Sequence, residues 1–155
     1  MRLIPQPYNI ELTGGITELR EITEKVTVDS FSDEEYELII KPANITVKAK
    51  TDKGFYYADV TMKQIVSLYG TVPCMIIKDK PRFSHRGFMI DCARHIFSID
   101  ELKKMISAAA DVKFNKFHWH LSDDQGFRIE LTGLPGLTEK GSIRDCDSFI
   151  NCKSN

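Results

Sequence analysis

Two side chains in this sequence have the type and the position to handle a polar ligand, Arg94 and Asp123. Arg94 follows the apolar run Gly87-Phe88-Met89-Ile90-Asp91-Cys92-Ala93, and Asp123 follows a run from Phe114 to Leu121. Each sits where a predicted strand ends, and in parallel α/β architectures those C-terminal ends form the mouth of the active site. If the two strands are neighbours, a guanidinium and a carboxylate face one cavity there. Arginine suits sugar recognition, because its rigid fork of donors can bridge adjacent hydroxyl oxygens. The plainer alternatives are a salt bridge under a loop for Arg94 and a turn or helix cap for Asp123-Asp124. Asp91, set among apolar residues, is expected to be buried and paired with a later basic group or a backbone N–H.

His118 and His120 flank Trp119 and place both rings on one face of their strand. With no third ligand in the pattern, they read as histidines satisfied by polar neighbours rather than as a metal pair. No Ser-His-Asp elbow, phosphate loop or dinucleotide fingerprint occurs, so neither a metal nor a cofactor is predicted.

The elements that position these groups come from hydrophobic periodicity. Ser98-Ile99-Asp100-Glu101 is a capping box, opening a helix with Ile99, Leu102, Met105, Ile106, Ala109 and Val112 on one stripe. Strand, helix and strand make a βαβ unit. Ahead of it lies a small α+β unit. Tyr36, Leu38 and Ile40 alternate with polar residues, as do Ile45, Val47 and Ala49, and Lys41-Pro42-Ala43-Asn44 between them predicts a hairpin. Phe55 to Tyr69 carries Tyr56, Val60, Met62, Ile65 and Leu68 near helical spacing, with Gly70 as the C-terminal stop. Val72 to Ile77 closes the unit as a further strand. The charged, proline-bearing Lys78–Arg82 segment marks the domain boundary, giving an α+β domain over 1–81 and the opening of a (β/α)8 barrel over 82–155. Such a barrel takes roughly 200 residues or more. One βαβ cannot close it, and its strands would leave open edges available for self-association.

Composition excludes several classes. Across 155 residues, 21 basic against 22 acidic side chains give a net charge of −1. That leaves no basic footprint for nucleic acid. No apolar stretch of about 20 residues spans a membrane, and the start is too short and proline-broken for a signal sequence. The chain as written reads as cytoplasmic, or secreted if a leader has been removed. Four cysteines, at positions 74, 92, 146 and 152, show no C-x-x-C spacing. Cys92, inside an apolar run, is expected to pack as a small hydrophobe.

Read together, the segments His85–His95 (HRGFMIDCARH) and Lys113–Arg128 (KFNKFHWHLSDDQGFR) closely resemble the first barrel strands of family 20 β-N-acetylhexosaminidases. Leu137-Thr138-Glu139-Lys140-Gly141-Ser142 continues the pattern. The first eighty residues are similar to the family's small accessory domain, including Gly54, Thr61 and Gln64 around its helix. The resemblance implies a retaining exo-hydrolase for terminal β-linked N-acetylglucosamine or N-acetylgalactosamine, with N-acetylhexosamine-terminated glycans as partners. It implies a substrate-assisted mechanism in which the acetamido oxygen attacks the anomeric carbon, served by an adjacent Asp-Glu pair. By the same resemblance Arg94 binds hydroxyls of the terminal sugar. Asp123 orients a histidine that tunes the acid, with Asp124, Asp91 and His120 in support.

The departures from the family pattern bear on activity. The Asp-Glu pair belongs beyond position 155, Asp33-Glu34-Glu35 precede a surface hairpin, and Phe127 stands where tryptophan is often found. Trp119, the only tryptophan, belongs to a strand interior. The tail from Asp145 gives no strand signal. The chain alone is therefore expected to be inactive, and the alternative is a non-catalytic carbohydrate-binding or self-associating module.

Overall fold

The computed structural model describes residues 2–143, and among these the chain forms two compact units. The first runs to Ser84 and also takes in Asp111–Lys113; the second comprises His85–Ala110 and the residues from Phe114 onward. The tail from Asp145, with Cys146 and Cys152, lies outside the described residues.

The first unit is α+β. Strands β1 (Asn9–Thr17), β2 (Glu24–Thr27), β3 (Tyr36–Ile40), β4 (Ile45–Ala49) and β5 (Val72–Asp79) form one sheet in the order β1-β5-β3-β4-β2. The period-2 pattern of β3 and β4 becomes the predicted hairpin, closed by Lys41 N donating to Asn44 O at 2.9 Å. Residues 36, 38 and 40 oppose 79, 77 and 75 of β5, so Tyr36, Leu38, Ile40, Ile77 and Met75 share one buried face. Helix α1 (Asp52–Leu68) accompanies that face in the core. On the opposite face a half-buried Glu37 lies between Lys48 at 3.0 Å and the exposed Lys78 at 3.6 Å, a trio directed by the register.

Two details of α1 depart from expectation. The buried residues are Gly54, Tyr57, Ala58, Val60, Thr61, Met62 and Ile65, so Val60, Met62 and Ile65 lie inside as expected, whereas Tyr56 and Leu68 are exposed, because the helix is rotated toward its small residues. Gly54 is required there: a Cβ would come within 2.6 Å of Glu35 O and 2.8 Å of the Ala49 Cβ. Nor does Gly70 stop the helix. Tyr69 does so in an extended conformation, its N–H still donating to Ile65 O.

The face shared by β3, β5 and α1 is not wholly apolar. Tyr36 and Asp79 oppose one another across the sheet, and Lys113 joins them. The ammonium lies 2.8 Å from Asp79 Oδ2 and 2.9 Å from the Tyr36 hydroxyl, which meets Thr61 Oγ1 at 2.6 Å. All four residues are buried. Lys113 reaches this position through a left-handed backbone, φ 64°. Burial, and next the Asp79 charge, push the Tyr36 phenol far above its ordinary value.

The second unit is built on a parallel pair, β6 (Gly87–Asp91) and β7 (Lys116–His120), connected through α2 (Ile99–Asp111). The capping box forms as its spacing predicts: Ser98 N and Oγ both donate to Glu101 Oε2 at 2.8 Å, and Glu101 N donates back to Ser98 Oγ at 3.2 Å. These bonds from Ser98 hold the Glu101 carboxyl below its ordinary range. Of the predicted stripe on α2, Leu102 is buried and Met105 half-buried, packing with Phe88, Ile90, Cys92 and Phe117; Ile99 and Ile106 remain exposed. Trp119 lies within β7 as expected, its side chain 44% exposed and its indole N–H donating to the buried Cys92 sulfur at 3.2 Å. A two-residue hairpin, β8 (Ser122–Asp123) with β9 (Gly126–Phe127), and a short helix α3 (Pro135–Gly141) complete the unit. No helix among the described residues is long and apolar enough to cross a membrane.

Candidate functional site

The parallel register decides which polar groups meet. Gly87 pairs with Lys116 and the ladder runs to Asp91 opposite His120, so a carboxylate and an imidazole lie side by side at the two C-terminal strand ends. Beyond them the chain turns, on one side through Cys92–Arg94 and on the other into the β8–β9 hairpin. Arg94 and Asp123 are carried back to the same place.

Asp91 works largely within its own turn. Its Oδ1 accepts the N–H groups of Ala93 at 3.0 Å and Arg94 at 3.2 Å, and its Oδ2 lies 3.0 Å from Arg94 Nη1. The expected partners are both present, a basic group and backbone N–H groups. The expected burial is not, since the side chain is 29% exposed at a strand end rather than mid-strand. Asp123 divides its two oxygens similarly. Oδ1 accepts Gln125 N at 2.8 Å and shapes the hairpin turn, while Oδ2 meets Arg94 Nη1 and lies 3.0 Å from His120 Nε2. The turn-forming and ion-pairing readings of Asp123 therefore hold together.

His120 Nε2 also lies 3.1 Å from Arg94 Nη1. One nitrogen cannot accept from the guanidinium and donate to the carboxylate at once. The charged acceptor makes the stronger bond, so we assign the proton to Nε2, donating to Asp123, with Arg94 alongside. That bond is the main reason the Asp123 carboxyl is held below the usual carboxylate range, helped by the Gln125 N–H and by the Arg94 charge.

Asp91, His120 and Asp123 present ligand atoms within 4.8 Å of one another, a spacing that could hold a metal ion. Here the Arg94 guanidinium supplies the positive charge for both carboxylates. The contacts of Arg94 with its three neighbours all fall on Nη1. Nη2 and Nε take part in none of them, and the side chain is 47% exposed. A fork held by one tine presents the rest of its donors to a ligand. Asp124, by contrast, is exposed in the hairpin turn and is not brought into the cluster. His118 is exposed and opposite Met89, two residues before the strand end.

Sequence reasoning did not single out Arg128. Its Nε donates to Cys92 O at 3.1 Å, its Nη2 to Ala93 O at 3.3 Å and its Nη1 to Ser142 O. No spacing rule marks such a residue, because its partners are main-chain carbonyls reached only after the hairpin folds.

Comparison with known proteins gives this geometry a context. Residues 6–80 match the family model described as glycosyl hydrolase family 20, domain 2, and residues 83–151 match the model of that family's catalytic domain. A β-hexosaminidase of Vibrio furnissii is 43% identical over 118 residues, 74% of this chain and 19% of its own length. A β-N-acetylhexosaminidase of Cellulomonas fimi is 37% identical over 145 residues, 88% of this chain and 28% of its own. Among solved structures, a β-N-acetylhexosaminidase superposes with a TM-score of 0.83 at 31% identity, over 90% of this chain and 30% of that one. The exo-β-N-acetylglucosaminidase of Vibrio harveyi, solved in complex with N-acetylglucosamine, gives 0.79 at 29% identity, over 90% and 28%. This chain thus spans less than a third of each of these relatives. With both of its units matched in order by the two models of one family, the chain belongs to glycosyl hydrolase family 20.

Proposed function

We propose that this chain contributes to a retaining exo-β-N-acetylhexosaminidase that removes terminal β-linked N-acetylglucosamine or N-acetylgalactosamine. In this reading β6-α2-β7 is the opening βαβ of a (β/α)8 barrel and residues 1–81 are its accessory domain. The observation that carries the reading is the grip on Arg94. One nitrogen is fixed by Asp91 and Asp123, and the remaining donors are left for adjacent sugar hydroxyls at the C-terminal strand ends. Asp123, kept ionised, supports a later histidine, and His120, Asp91 and Asp124 assist around it. The bond-breaking step is substrate-assisted, as in the family exceptions to the two-carboxylate scheme. It requires an Asp-Glu pair that lies beyond residue 155.

The isolated 155 residues are accordingly expected to show no hydrolysis of a chromogenic N-acetylglucosaminide. Turnover above a heat-inactivated control would overturn the assignment of the acid to a later strand.

A self-associating role has its own support. Among the described residues β6 and β7 pair only with each other, and Met89 and Trp119 are about half exposed. Light scattering is expected to show a mass that rises with concentration, and a constant monomer mass would exclude this role.

A further inference from the structure

Arg94 can present its fork to a ligand only if the turn that carries it is fixed. The turn leaves the end of β6 through Cys92 and Ala93, both buried, and buried carbonyls there need donors. Arg128 supplies them. Its guanidinium takes the carbonyls of Cys92 and Ala93, the two residues immediately before Arg94, and that of Ser142, the C-cap of α3. Its own N–H donates to Ser122 Oγ at 3.0 Å, tying it to the hairpin that carries Asp123. The close approach has a cost in sequence freedom. Any Cβ on Gly126 would stand 2.5 Å from Ala93 O and 3.1 Å from Arg128 Nη2.

We propose that Arg128 is a positioning residue for Arg94: by clamping the Cys92 and Ala93 carbonyls it sets the turn so that Arg94 Nη1 rests between Asp91 and Asp123. A planar group with five donors can hold three carbonyls at once, whereas an ammonium on a flexible stem cannot hold the same geometry. Gly126 and Ser122 adapt the hairpin to the clamp. The consequence for sugar binding rests on the reading of Arg94 given above; the clamp itself does not.

The test uses the 155-residue chain and follows the Asp123 carboxyl carbon by NMR against pH. In the unsubstituted chain it should titrate below the ordinary carboxylate range. Arg128→Ala should raise that midpoint, because Arg94 is no longer held against the carboxylate, and in an Arg94→Ala background the same change should leave it where Arg94→Ala alone puts it. An equal rise in both backgrounds would mean that Arg128 acts on the hairpin generally, and no rise in either would mean that it fixes nothing; each overturns the proposal. Arg128→Lys, which retains the charge, should shift the midpoint part of the way, and it decides the matter by the same comparison if the alanine variant does not fold. N-acetylglucosamine titration into the same variants separates the two readings. A coupled midpoint with sugar binding untouched by either arginine would leave the clamp standing and remove the sugar grip.

Discussion

Asp79→Ala is expected to destabilise the first unit by about 3–5 kcal/mol, the scale for breaking a buried ion pair from one side. The substitution removes the carboxylate 2.8 Å from the Lys113 ammonium and leaves that ammonium buried, its side chain 6% exposed. Since whole domains are stable by only about 5–15 kcal/mol, urea unfolding followed by circular dichroism should show a collapse of the transition midpoint. The double variant Asp79→Leu, Lys113→Met should recover most of the loss, because replacing both charges by apolar groups is often neutral. A single variant as stable as the original would show that the pair is solvated. The cluster also sets an alkaline limit. The Tyr36 phenol is raised in the folded chain by burial and then by Asp79, while an unfolded tyrosine ionises near about 10. Its contribution is therefore fully present below pH about 10 and falls as pH rises beyond it. Tyr36→Phe should flatten that part of the curve.

In a polypeptide that continues through the catalytic domain, Arg94→Ala should lower kcat/KM for an N-acetylglucosaminide by about a hundredfold to ten-thousandfold. The figure follows from two hydrogen bonds from a charged donor at about 1.5–3 kcal/mol each, with 1.4 kcal/mol per tenfold. Arg94→Lys should recover little, since a single ammonium cannot bridge two hydroxyls in fixed geometry. The same substitution unbalances the cluster, leaving Asp91 and Asp123 without their guanidinium. Its pH behaviour carries a sign. The Asp123 carboxyl is held down first by His120, then by Gln125 N–H and Arg94. The stability that the ionised Asp123 contributes is therefore fully present above the ordinary aspartate value of about 3.9 and is lost as pH falls through the lower folded value. Activity within tenfold of the unsubstituted enzyme would show that Arg94 does not touch the sugar.

The legible parts of the fold share a short range. The β3–β4 hairpin, the capping box at Ser98 and the strands flanking α2 follow from alternation, turn formers and cap chemistry within ten or so residues. β1 and β2 escape such reasoning. Gly14 and Gly15 interrupt β1 with positive φ, its register with β5 shifts between Leu12 and Ile16, and nearly all of it is exposed. The rotation of α1 was hidden for another reason, since Gly54, Ala58 and Thr61 are buried by what approaches them rather than by their own hydrophobicity. At the site, strand ends could be foreseen as the meeting place of Arg94 and Asp123. The pairing of Asp91 with His120 could not, because it depends on a register that only the folded ladder defines.

Asp111–Lys113 packs with the first unit although the chain on either side of it belongs to the second. A genetic exchange or truncation placed after Ser84 would look clean on a linear map. It would nevertheless strand Asp79 and Tyr36 in the core without the ammonium that answers them. The heritable module is thus longer than the contiguous one. Any swap of this front piece between relatives must carry the lysine at 113 along with the carboxylate at 79.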